Sequence, residues 1–382
     1  VLGVVQLINR KRNFSVKLDS PGVVDREVIV FDQENESLAL SLSSMAAVAL
    51  ENNNLYTEIE TLFEGFVKAS VKAIESRDPT TSGHSGRVAL YTVGLAETVD
   101  RINWGTYGNV NFNRDQIKEI RYASLLHDFG KVGVRENVLV KAKKLYPAQL
   151  QIIQNRFDFI QRSLELEYLR KKYLLLKEKG VKTLEKQILS LEEEERRILK
   201  EIKDAYEVVL EANEPNILEE EPAARIKMLA QKVYRDITGK ELPFLLESEV
   251  EMLSIRRGSL NEIERKEIES HVIHTYEFLK NIPWTSTLKE IPTIARWHHE
   301  KLNGEGYPDK VTMENIPLQT KMMTISDIYD ALTARDRPYK RAVPMEKALE
   351  ILISEVSANH LDKDLVNIFI DSKIYLKADN QN

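Results

Sequence analysis

The chain contains no cysteine in 382 residues, which excludes disulfides and thiolate metal ligands outright. It also has no apolar run approaching the roughly 20 residues a membrane helix needs and no signal-peptide pattern. A cytoplasmic protein without a membrane span is the expectation. Basic residues are not in excess: 54 Lys and Arg stand against 60 Asp and Glu, for a formal net charge of -6 and a pI near 5.8. That balance argues against polymeric nucleic acid as the main partner, while leaving room for a small anion in a local basic pocket. Histidine is scarce, with seven in all. Five of them, His84, His127, His271, His298 and His299, fall beside carboxylates or glycines in patterned contexts, leaving only His274 and His360.

The densest pattern is His298-His299-Glu300-Lys301-Leu302-Asn303-Gly304-Glu305-Gly306-Tyr307-Pro308. Neighbouring residues on a helix point roughly 100° apart, so two adjacent imidazoles suit a site with more than one metal better than a single ion. Upstream, an apolar helical segment beginning near Ile117 ends in His127-Asp128-Phe129-Gly130-Lys131. A histidine beside a carboxylate pairs a borderline with a hard ligand, and a carboxylate can bridge two ions through its two oxygens. Downstream, Asp327 and Asp330 stand three apart on one predicted helix face, where one can be a ligand and the other its supporting partner.

Together these pieces resemble the HD-GYP phosphodiesterases of bacterial cyclic di-GMP signalling. The resemblance covers about 70–142 and 258–360. It runs through Arg77-Asp78-Pro79-Thr80-Thr81-Ser82-Gly83-His84, the His127-Asp128 dyad with Gly130 and Lys131, and Ser270-His271. It continues through the His298-His299-Glu300 block, the literal Gly306-Tyr307-Pro308, and Asp327 leading to Asp336-Arg337-Pro338-Tyr339-Lys340. Val272 stands where the family usually has proline after the third histidine.

The resemblance implies that His84, His127, Asp128, His271, His298, His299 and Asp327 bind the metals, with Asp128 bridging. His274 shares a helix face with His271, but the family has no ligand at that position. His360 has no carboxylate motif. Members proposed to hold three metals carry an acidic residue four positions before the first histidine, where this chain has Thr80. Two divalent ions, iron or manganese, are therefore expected. Such ions would generate a nucleophile from water and neutralise the phosphoryl oxygens. Lys131 would add a point charge at the same phosphate, and Arg337 and Lys340 would contact phosphate beyond the loop. Tyr307 either packs on the loop or faces the substrate.

The implied activity is hydrolysis of cyclic di-GMP to linear pGpG, with further cleavage to GMP left open. Two other readings stand beside it. One is an HD-superfamily hydrolase of a different nucleotide; the other is a silent signalling module that binds dinucleotide or a protein.

The expected fold is mainly α: a helical HD catalytic domain over 77–382, preceded by a partial α/β segment and a long linker helix. Residues 1 to about 50, entered at Val1 without an initiating methionine, resemble the last strands and final helix of a GAF sensory domain. Over 51–76 and its approach, Leu42, Met45, Ala49, Asn52, Tyr56, Ile59, Phe63, Phe66, Ser70 and Ala73 alternate three and four apart. That seam predicts a coiled-coil-like helix able to form a homodimer. The resemblance breaks over about 143–257, a charged insertion in which Ile188, Leu191, Glu195, Ile198, Ile202, Ala205 and Val209 follow heptad spacing. A helical hairpin turning near Gly180 is predicted there, with an exit linker at Asn213 to Pro222 and a capping box of Ser259 and Glu262 after it. With no ligand-rich motif, the insertion reads as a docking, dimerisation or regulatory element for a protein partner.

Overall fold

The structure is a computed structural model that describes residues 3–77, 83–179, 185–216, 220–236, 238–334 and 342–378. The chain divides into two compact units, Val1–Ser70 and Val71–Asn382.

In the first unit, α1 (Pro21–Glu27) precedes α2 (Gln33–Arg77), whose C-terminal turns belong to the second unit. Among the described residues before α2 there is no regular strand. Two segments meet instead in an isolated antiparallel bridge between Lys11 and Val28, held by Arg12 N to Glu27 O and Ile29 N to Arg10 O, both 2.8 Å. This is less β structure than the expected GAF strands. The seam on α2 is laid bare: Leu42, Met45, Tyr56 and Ile59 are each more than half exposed.

The second unit opens with α3 (His84–Arg101) and α4 (Arg114–Leu126). The N-terminus of α4 is fixed by a capping box in which Asn113 accepts from Gln116 N and Gln116 reaches back to Asn113 N, satisfying two amides the helix cannot bond internally. A 3₁₀ turn over Phe129–Gly133 and the short α5 (Glu136–Leu139) follow.

The insertion comes next: α6 (Pro147–Lys179), α7 (Glu185–Ala212), α8 (Glu220–Gln231), an antiparallel hairpin of β1 (Val233–Arg235) and β2 (Glu241–Pro243), and α9 (Glu247–Leu253). It is more than a hairpin, because Phe157, Ile160, Val209, Ile226, Phe244 and Leu253 bury a core of their own. The expected turn at Gly180 lies outside the described residues. The expected exit linker is shorter than the sequence suggested: Pro222 falls in the first turn of α8, where a missing amide costs nothing. Asn213 is buried, its carbonyl accepting from Lys144 N at 3.1 Å and its Oδ1 from Leu145 N at 2.8 Å, which ties the exit of the hairpin to its entrance.

Beyond the insertion come α10 (Glu262–Glu269), α11 (His271–Leu279), α12 (Ile291–Arg296), α13 (Leu318–Thr333), α14 (Met345–Ser357) and α15 (Lys363–Asp371). The capping box before α10 is Asn261 with Glu264, two residues beyond the predicted Ser259 and Glu262. The Ser259 hydroxyl instead donates to Lys141 O at 2.8 Å. Leu95 and Val99 of α3, Ile120 of α4, Met322 and Ile325 of α13, Leu352 of α14 and Phe369 of α15 form the core behind the site. At ~1.5–3 kcal/mol per fully buried aliphatic or aromatic side chain, this core is what holds the ligand-bearing ends in place.

Candidate metal centre

The ends of separate elements supply the site. His84 opens α3, His127 and Asp128 follow α4, His271 opens α11, His298 and His299 follow α12, and Asp327 lies within α13. Three overlapping groups have ligand atoms within 4.8 Å of one another: His271, His298 and His299; His84, His127 and Asp128; and His127, His298 and Asp327. All seven residues singled out in the sequence are brought together.

Three histidines share one arrangement. Nδ1 donates to the carbonyl three residues back: His127 to Ser124 O at 2.7 Å, His271 to Ile268 O at 2.6 Å, and His298 to Ala295 O at 2.7 Å. A carbonyl only accepts, so each ring carries its proton on Nδ1 and presents the Nε2 lone pair. Those Nε2 atoms are buried without a hydrogen-bond partner. Leaving a buried acceptor unpaired costs ~1–3 kcal/mol, and three of them converging on carboxylates is the donor set a divalent ion satisfies.

The carboxylates complete the set. Asp128 Oδ2 lies 3.5 Å from His127 Nε2 and 3.7 Å from His84 Nε2, while its Oδ1 lies 3.4 Å from His271 Nε2. Its two oxygens thus face different histidines, as a bridging carboxylate requires. Asp327 Oδ1 is 3.1 Å from His84 Nε2, and its Oδ2 is 3.9 Å from His299 Nδ1. Lys131 Nζ pairs with Asp128 Oδ2 at 2.9 Å.

Electrostatics favour the ligating forms. Burial drives His298 well below the ordinary imidazole range, pulls His299 down to about 3 and lowers His271. Burial pushes Asp128 and Asp327 the other way, yet their cationic and imidazole neighbours, Lys131 foremost for Asp128 and His84 for Asp327, hold both carboxyls below the usual range. Neutral imidazoles and ionised carboxylates are the states that bind metal. His84 differs: burial lowers it, but hydrogen bonds to Asp327 and Asp330 prevail and raise it to about 9.

Supporting residues surround this set. Asp330 accepts from His84 Nδ1 at 2.8 Å and is itself gripped by Arg87, whose Nε is 2.7 Å and Nη2 3.1 Å from the two carboxylate oxygens. The second aspartate of the i, i+3 pair therefore orients a histidine, with Arg87 as a partner the sequence reading missed. It stands three residues after His84, a spacing that was available. Glu300 accepts from Asp309 N at 2.6 Å and Lys310 N at 2.9 Å, folding the glycine loop back on itself. Gly306 is pressed so closely on the chain that a Cβ would meet Glu300 Cα and Lys301 N at 2.4 Å. The Tyr307 ring packs on His299 with centroids 4.8 Å apart.

His274 is exposed and outside the site. His360 bonds Glu355 at 2.6 Å and is likewise apart from it. Thr80, Arg337 and Lys340 lie outside the described residues.

Residues 244–365 match the HD domain family. The match starts in the last part of the insertion, just before α9, so it takes in His271, His298, His299 and Asp327 but not His84 or the dyad. Among curated proteins, the chain is 41% identical over 95 residues to a 3'3'-cGAMP-specific phosphodiesterase of Vibrio cholerae, covering 25% of this chain and 20% of the relative. It is 35% identical over 101 residues to a cyclic di-GMP phosphodiesterase response regulator of Xanthomonas campestris, covering 26% of each. A second 3'3'-cGAMP-specific phosphodiesterase of Vibrio cholerae aligns at 22% identity over 359 residues, covering 93% of this chain and 44% of the relative. The chain therefore spans less than half the length of these relatives. Residues 244–365 are thus similar to the HD domain family, and the relatives that the chain resembles over part of its length are named as cyclic di-GMP and 3'3'-cGAMP phosphodiesterases.

Proposed function

We propose that the chain is a metal-dependent phosphodiesterase that hydrolyses cyclic di-GMP to linear pGpG, in bacterial second-messenger signalling. The observation that carries this reading is the set of three buried, unpartnered Nε2 atoms, from His127, His271 and His298, facing Asp128 and Asp327. His84, His127, Asp128, His271, His298, His299 and Asp327 would hold two divalent ions, iron or manganese, the mixed nitrogen and oxygen donors suiting either. When bound, the ions supply a water nucleophile at neutral pH and neutralise phosphoryl charge.

The chain's own residues have distinct tasks. Asp128 turns one oxygen toward His271 and the other toward His84 and His127, so it ties the two halves of the site. Lys131, held at the edge of the site by Asp128, adds positive charge where the phosphate becomes more negative in the transition state. Asp330 and Arg87 fix the His84 ring. Tyr307 bears on His299 and walls the site on the loop side. Arg337 and Lys340 are proposed as further phosphate contacts.

A hybrid cyclic dinucleotide is the second reading, favoured by the named specificity of the cGAMP relatives. Anaerobically purified protein, loaded with iron or manganese and assayed against cyclic di-GMP, 3'3'-cGAMP and a nucleoside triphosphate panel, separates the readings. Cleavage of cyclic di-GMP to pGpG supports the first. Cleavage of the triphosphates alone, or binding without turnover in metal-loaded protein, would sink both.

The exposed seam on α2 supports a homodimer through that helix, since its apolar positions repeat as a coiled coil requires. The separately cored insertion is proposed as a regulatory or protein-docking element, and the protein as cytoplasmic. No helix among the described residues is long and apolar enough to cross a membrane.

A further inference from the structure

Thr275 is fully buried, and its hydroxyl makes two bonds: it donates to His127 O at 2.9 Å and accepts from Gly130 N at 2.8 Å. It stands one turn after His271 on α11, so the helix that presents His271 also grips the dyad turn on both sides of Asp128. The turn has no slack. A Cβ on Gly130 would lie 1.9 Å from His271 O and 2.4 Å from Thr275 N.

Thr324 repeats the device across the site. It stands one turn before Asp327 on α13, is buried, and donates to His298 O at 2.9 Å, with Thr320 O 3.0 Å away. In both cases a threonine on the helix of one candidate ligand bonds the main chain of another.

We propose that Thr275 and Thr324 are positioning residues that set the spacing of the metal ligands. Thr275 registers His127 and Asp128 against His271, and Thr324 registers His298 against Asp327. The assignment rests on the metal-dependent reading above. Its physical basis is rigidity: the rings of His127 and His298 are tied through Nδ1 to their own main chain, so a shift of that main chain moves Nε2 with it. Metal–ligand distances tolerate only about 0.2 Å. Replacing the hydroxyl by a methyl keeps the volume but leaves buried main-chain groups without their partner and frees the segments to separate.

The test uses the full chain as wild type, Thr275→Val, Thr324→Val, Thr275→Ser and Thr324→Ser. Thr92→Val is the control, since Thr92 is buried and its hydroxyl bond among the described residues stays within α3, to Val88 O at 2.7 Å. Manganese(II) is titrated by calorimetry into chelator-treated protein, at a temperature where circular dichroism shows each variant folded. Electron paramagnetic resonance then reads the exchange coupling between neighbouring ions. Each valine variant is expected to bind about 10–100-fold more weakly, as loss of an outer partner does, and to lose the coupled signal. The serine variants and Thr92→Val should stay near wild type. Thr275→Ala and Thr324→Ala, which lose the hydroxyl without adding bulk, replace any valine variant that does not fold. Wild-type affinity and coupling in the valine variants overturn the proposal, as does an equal loss in Thr92→Val. A wild-type chain that binds no manganese overturns the metal reading itself, and the threonine assignment with it.

Discussion

Lys131 Nζ lies 2.9 Å from Asp128 Oδ2, three residues away along the 3₁₀ turn. The turn thus presents the proposed bridging carboxylate and a cation at one point, and the cation is the foremost of the charges that keep the buried Asp128 ionised. Lys131→Met should therefore lower turnover by about 10²–10³, the usual loss for one charge-stabilising donor. The effect should appear in kcat at nearly full metal content. Steady-state kinetics on metal-quantified protein checks this, and an unchanged kcat would remove Lys131 from the chemistry.

Asp330 links His84 to Arg87, and substituting it tests whether the ring is oriented rather than merely neighboured. Asp330→Asn keeps the shape but weakens the bonds to His84 Nδ1 and to the Arg87 guanidinium. Metal affinity should fall about 10–100-fold, and because the buried Asp330 gives up its charged pairing with Arg87, stability should fall as well. Titration calorimetry and denaturant unfolding measure the two separately. A stability loss with intact metal affinity would reduce Asp330 to a structural ion pair.

Where residue type and local spacing carried the chemistry, the sequence was readable. The dyad, the double histidine with its glycine loop, and Asp327 with Asp330 are each contained in a few consecutive residues, and the structure gathers them. Long-range partners left no such trace. Thr275 meets His127 across 148 positions, and nothing about a threonine announces a distant carbonyl. The misplaced capping box has the same cause: Ser259 and Asn261 both satisfy the local pattern, and the choice is made by Lys141 O, which takes the Ser259 hydroxyl across 118 positions. Pro222 reads as the end of a linker because its position in a first turn is invisible until the helix start is known. The insertion's separate core went unread because heptad spacing revealed α7 but not the faces of α8, α9 and the β-hairpin that close over it.

The metal-free protein should be most stable near pH 6.5. His299 is depressed to about 3 and His271 and His298 are also lowered, so their contribution is present above the ordinary value of 6.5 and lost as pH falls below it. His84 is raised to about 9, so its contribution is full below 6.5 and lost as pH rises through about 9. Thermal melts in chelator across pH 5 to 9 should show this maximum, and a monotonic rise would contradict it. Metal binding must displace the His84 proton, so the added stability from metal should grow over the upper half of that range.

Lys141 and Glu264 join the stem of the insertion to α10, the helix leading into His271. Their side chains are 1% and 8% exposed, with Nζ 2.7 and 2.9 Å from the two carboxylate oxygens, and Tyr146 also donates to Glu264 at 2.7 Å. A buried pair of this kind contributes little over an apolar replacement, but losing one partner strands the other charge. Glu264→Gln should cost about 3–5 kcal/mol, even though the amide preserves the shape of the capping box with Asn261. Adding Lys141→Met removes the stranded charge, so the double variant should be more stable than Glu264→Gln alone. Urea unfolding of the wild type, both single variants and the double variant measures the coupling. Additive losses would show that the two charges act independently, and the insertion would then be tied to α10 by packing rather than by this pair.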